Sequence, residues 1–144
     1  MTPADPNQTH AEALHRTLMV IWAILLMSVI GFLLFTVLVP SNATGNNMVV
    51  SIVLIVLACS NVALSFTFKR TLLKKSIETK DIQFVLRAYI AALALCESAA
   101  LFGVIIHFVT GSASYYVAFG LGVIGMLLHF PQKKHLLDVF FKPL

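Results

Sequence analysis

Four apolar runs, separated by short polar connections, leave this chain few folds to choose from. Thr17 to Val39, Met48 to Phe68 and Phe84 to Thr110 each hold about 20 or more residues, enough to cross a bilayer as a helix, and a fourth run ends at Phe130. Apolar residues make up 59% of the 144 and charged residues 11%, outside the range of soluble globular proteins. The expectation is one all-α integral membrane domain over 1–144, a four-helix antiparallel bundle. Its spans are about 17–39, 48–68, 84–110 and 114–130, with a basic loop at 69–83 and an amphipathic tail at 131–144 lying on the membrane surface. The first span is too long for the core of a signal peptide and has no clear small-x-small cleavage site, so it is expected to remain.

Charge sets the orientation. Nine of the ten Lys and Arg residues fall in the N-terminal segment, the 69–83 loop or the C-terminal flank, the tenth, Arg87, stands at the inner end of the third span, and the other two connections carry none. By the positive-inside rule both termini and the basic loop are cytoplasmic, and the expected location is a bacterial inner (cytoplasmic) membrane. Short connections make sequential helices neighbours. The net charge of +4 lies beside the spans, where it reports orientation and contact with anionic lipid, so the bilayer is the expected partner and nucleic acid is not. At the N-terminus, polar residues 1–9 read as a tail. Thr9 then caps a helix starting at His10, with Glu12 completing a capping box.

One acid interrupts the apolar runs. Glu97 sits in the middle of the third span, where a charge costs at least about 2.5–3.5 kcal/mol on insertion scales, so it is expected to carry its proton and to face protein or a water-filled cavity. Counted from the basic residue at each helix end, Glu97, Ser28, Asn61, Cys59 and Gly122 all lie roughly 12–18 Å deep. Ser28, Cys59, Asn61 and Ser98 are therefore the candidate polar layer around Glu97. Asn61 in particular needs a partner on another helix. Ala92, Cys96, Ala99, Ala100 and Gly103 form a small-residue stripe on the third span, and Ala118, Gly122 and Gly125 form one on the fourth, as in helices that pack closely. His107 lies about 15 Å and roughly 80° round the helix from Glu97, too far to touch it. It reads as an interfacial histidine, as does His129. Cys59 and Cys96 lie in apolar runs and suggest no disulfide framework.

The segment Glu97-Ser98-Ala99-Ala100-Leu101-Phe102-Gly103-Val104-Ile105 resembles the ion-binding helix of the proteolipid ring (c-type) subunits of rotary ATPases. There a carboxylate is followed by small residues, an aromatic, glycine and branched aliphatics. The resemblance covers about ten residues and implies that Glu97 binds an ion in an oligomer. The second span, its counterpart to the hairpin partner in that family, contains no glycine. No nucleophile–base pair, metal cluster or phosphate loop accompanies Glu97, so neither an enzyme, a cofactor nor a metal site is expected. Three functions remain: proton or cation handling through Glu97 within an oligomer, an accessory role in a larger membrane complex with Glu97 as a protonated interhelical hydrogen-bond donor, and a carrier for a small or lipophilic molecule, against which stands the lack of paired broken helices of the transporter kind.

Overall fold

The computed structural model describes residues 6–43 and 47–141, excluding the side chains of 6–8, 140 and 141. Its described elements are all helical: α1 Pro6–Leu38, α2 Met48–Thr79, α3 Gln83–Thr110, α4 Tyr115–Leu128 and α5 Lys133–Phe141. Thr9–Leu38, Met48–Thr79 and Gln83–Thr110 are long and apolar enough to cross a membrane, with hydropathies of 2.8, 2.5 and 2.1. The chain is a membrane protein. α4 is as apolar but has 14 residues, so at about 1.5 Å per residue it spans roughly 21 Å.

Two boundaries differ from the sequence reading. α1 begins at Pro6, and Thr9 lies within the helix instead of capping it. Proline is at home in a first turn, where its missing N–H would have no helical partner. Of the expected tail, residues 1–5 lie outside the described residues. The larger correction is the basic loop at 69–83: α2 continues without a break to Thr79, leaving only Lys80 to Ile82 as a connection. Lys, Leu and Glu in this stretch are good helix formers, and charge does not stop a helix that has left the apolar layer. Lys80 ends it in a left-handed conformation at φ 51°, its amide donating to Ser76 O. The Asp81 carboxylate then accepts the Gln83 amide at 2.9 Å and starts α3.

α3 is the central element. In its most apolar window 44% of residues are buried, against 11% for α1 and 17% for α2, whose outward faces present Ile24, Leu34 and Val53. α1, α2 and α4 each pack on α3. The sequential pair α1 and α2 makes no substantial contact among the described residues, contrary to expectation. The connection from Val39 to Asn47 is long enough to carry the chain past a direct neighbour, and α1 is drawn instead to α3 and α4.

Small side chains decide how closely these helices approach. α2 has no glycine but buries Ser51, Ala58 and Ser65, seven residues apart, which keeps a narrow seam facing α3 over four turns. Along α3, Ala92, Cys96, Ala99 and Gly103 are all buried. On α4, Ala118, Gly122 and Gly125 are buried against α3: a Cβ on Gly122 would lie 2.9 Å from Cys96 O, and one on Gly125 only 2.7 Å from Cys96 Sγ. Likewise, a Cβ on Gly103 would lie 2.8 Å from the Phe119 ring. The stripes on α3 and α4 therefore pack on each other within the chain.

A second, smaller core closes the basic end. α5 buries Leu136 and Val139 against Ala11, Leu18, Val85 and Tyr89. The apolar face of the C-terminal segment thus meets protein where a membrane surface was expected. Lys133 Nζ lies 2.7 Å from Glu12 Oε1, which brings the start of α1 and the start of α5 to the same end of the molecule.

Candidate functional site around Glu97

Consecutive residues on a helix point about 100° apart, and on α3 three of them address three different neighbours. Cys96 turns into the buried interface with Gly122 and Gly125 of α4, and its thiol lies 3.7 Å from Ser65 Oγ of α2. Glu97 turns towards α1, where Ser28 Oγ donates to its Oε1 at 2.7 Å. Ser98 turns towards α2, accepting from Asn61 Nδ2 at 2.7 Å while donating to Leu95 O at 2.8 Å. The polar layer is therefore two separate pairs. Asn61 finds its partner one residue beyond Glu97.

Cys59 does not join this layer. It is exposed, one position beyond buried Ala58 and so about 100° off the inward seam of α2. Depth along a helix was right for it and facing was wrong.

Among the described residues Ser28 is the one hydrogen-bond partner of Glu97, and no cation pairs with it. The carboxyl is half-buried: one oxygen is fixed by a neutral hydroxyl and the group as a whole is not sealed in the core. Such a carboxyl is held in place without being locked into a salt bridge. Among the described residues no group of three His, Cys, Asp or Glu is placed to hold a metal ion.

Further interhelical polar bonds lie above and below this level. At the charge-free end the Ser51 and Thr110 hydroxyls are 3.1 Å apart, joining α2 to α3. His107 Nε2 is 2.9 Å from Val39 O; a carbonyl can only accept, so Nε2 carries the hydrogen and ties α3 to the end of α1. Trp22 Nε1 donates to Met126 O at 2.9 Å, tying α1 to α4. Towards the basic end His129 is 1% exposed, with Nε2 2.7 Å from Ser65 Oγ. It is a buried residue where the sequence suggested an interfacial one. Ser65, Trp22 and Thr110 escaped the sequence reading, although the seven-residue repeat of small residues on α2 was visible there. The chain matches no protein-family model, no curated protein sequence and no solved structure.

Proposed function

We propose that this protein handles protons or cations at Glu97, as a four-helix antiparallel membrane bundle working within an oligomer or a larger membrane complex. The observation that carries this reading is the state of the carboxyl: mid-helix, half-buried, bonded to one serine and, among the described residues, unpaired with any cation. A group held so loosely can exchange its proton or take up a cation without breaking a core network, and intramembrane acids commonly serve ion pathways. Its half-exposed side is where a second copy or another subunit would complete the site. The local resemblance to c-type subunits agrees with this role for Glu97.

The accompanying topology has both termini and the α2–α3 connection in the cytoplasm, in a bacterial inner membrane. The Glu12 to Lys133 contact supports termini on one side, and the distribution of Lys and Arg supports that side being cytoplasmic. In a Cys59→Ser background, Ser114→Cys is expected to react with an impermeant thiol reagent from outside and Lys75→Cys only from inside.

A second reading is favoured by the Ser28 to Glu97 bond itself, which makes Glu97 an interhelical tie suited to an accessory subunit. Flux through the protein in vesicles separates the two. In the ion-handling case wild-type protein conducts protons or cations, a hydrophobic carbodiimide blocks it, and Glu97→Gln assembles normally but loses flux. Wild-type vesicles without flux, or Glu97→Gln vesicles with unchanged flux, remove the ion-handling reading.

A further inference from the structure

At the basic end, residues of α2, the end of α4 and α5 line a cavity of about 220 Å³, where one water takes ~30 Å³. Lys69 and Arg70 of α2 bring positive charge to it, and Phe66 and Leu128 bring apolar surface. No carboxylate lines it; Asp138, the acid of α5, lies outside the lining.

The two cations differ from the basic residues around them. Lys74 pairs with Glu78, Lys133 with Glu12, Lys75 lies over the Phe84 ring, and none of the three lines the cavity. Lys69 is half-buried and Arg70 exposed, and among the described residues neither pairs with a carboxylate. The Lys69 ammonium rests on the face of Tyr89, 4.2 Å from the ring centroid. An aromatic face attracts a cation without neutralising it. Because a charge drawn part-way out of water costs free energy unless it is paired, an anion in the cavity would stabilise the fold.

The level of the cavity supplies a second, independent observation. Lys69 and Arg70 are the first charges after the apolar run 48–68, while Phe68, next in the chain, is 52% exposed and Leu128, in the cavity wall, 63%. In a membrane protein such apolar faces meet acyl chains, and a basic pocket at their edge lies at the depth of lipid headgroups.

We infer that this cavity is a binding site for an anionic phosphate group, with Lys69 and Arg70 on its charged oxygens. Two sources share that chemistry: the headgroup of an anionic phospholipid, its acyl chains continuing over Phe66 and Leu128, and free phosphate from the aqueous side. The site is separate from Glu97 and does not depend on what Glu97 does.

The test uses the full chain in dodecyl maltoside micelles, which bring no phosphate, and follows the melting temperature. In one series inorganic phosphate replaces chloride at constant ionic strength; in the other, phosphatidylglycerol is added, with diacylglycerol as the phosphate-free control. A saturable rise is expected with phosphate or phosphatidylglycerol and not with diacylglycerol. A rise with inorganic phosphate assigns a soluble ligand, and a rise with phosphatidylglycerol alone assigns a lipid. Lys69→Gln and Arg70→Gln are each expected to raise the half-saturating amount at least about fivefold. Lys74→Gln, the same change of charge outside the cavity, is expected to leave it within about twofold. Arg70 is exposed, so Arg70→Gln carries the comparison if Lys69→Gln fails to fold. No rise with either phosphate probe, an equal rise with diacylglycerol, or as great a loss in Lys74→Gln as in Arg70→Gln each overturns the inference.

Discussion

Ser28 Oγ lies 2.7 Å from Glu97 Oε1, and this one bond ties the middle of α1 to the middle of α3. Asn61, at similar depth on α2, is bonded to Ser98 instead. A double-mutant cycle between Ser28→Ala and Glu97→Leu is expected to give a coupling of about 0.5–1.5 kcal/mol, towards the lower end in a membrane. The cycle between positions 61 and 97 is expected to give none. Unfolding in mixed micelles reads both, and a larger coupling for 61 with 97 than for 28 with 97 would contradict the arrangement.

The glycines of α4 make a graded test of close packing. Gly125→Ala puts a Cβ 2.7 Å from Cys96 Sγ, and is expected to destabilise by about 1–3 kcal/mol as an overpacked core does. Gly120, five residues earlier and about 140° round the helix, has nothing within 4 Å of such a Cβ. Gly120→Ala should therefore be neutral or slightly stabilising, since alanine suits a helix better than glycine. Equal effects of the two substitutions in thermal unfolding would show that α4 does not pack on α3 through this face.

Burial, and not the ion pair, is expected to hold α5 in place. Leu136 is 1% exposed, so Leu136→Ala should cost about 2–5 kcal/mol in the docking of α5. Glu12 and Lys133 are about half exposed, so solvent screens their pair and it adds little. Proteolysis of the C-terminal segment checks this: rapid cleavage is expected in Leu136→Ala and near wild-type resistance in Glu12→Gln.

Acid should loosen the same contact. His135 Nδ1 is 2.7 Å from the Tyr89 hydroxyl, which also accepts the Gln132 amide at 3.0 Å. Burial lowers the His135 pKa from its ordinary 6.5, the nearby Lys69 and Lys134 charges lower it further, and Asp138 opposes them. The unfolded chain therefore takes up this proton more readily than the folded one. The stabilising contribution is full above about pH 6.5 and is lost as pH falls through the lowered folded value. Melting temperature measured from pH 7.5 down to 5 should fall more for the wild type than for His135→Gln, and parallel curves would remove His135 from the account.

How much of this could be read from the chain itself differs from element to element. The membrane character and helical class followed from the lengths of the apolar runs, because a long run without charge has few other stable forms. The limits of α3 were read to within a residue, since Gly111 can take the left-handed turn that ends it, at φ 62°. The 69–83 segment misled because polarity was taken for a loop, when helix propensity is indifferent to where the bilayer stops. Cys59 misled because depth along a helix says nothing about facing.

Residue types and their order are enough to place the protein in a membrane, to show small-residue stripes for close helix approach, and to mark Glu97 as the lone acid in an apolar run. Those properties depend on residue type and spacing along one helix, and each is written in one dimension. It takes the packed helices to show that α3 is central, that α1 packs on α3 and not on its sequence neighbour α2, that Glu97 meets Ser28 while Asn61 meets Ser98, and that α5 docks on protein. Partner choice depends on the rotation of each helix about its axis, and one residue of rotation, about 100°, is enough to exchange one neighbour for another.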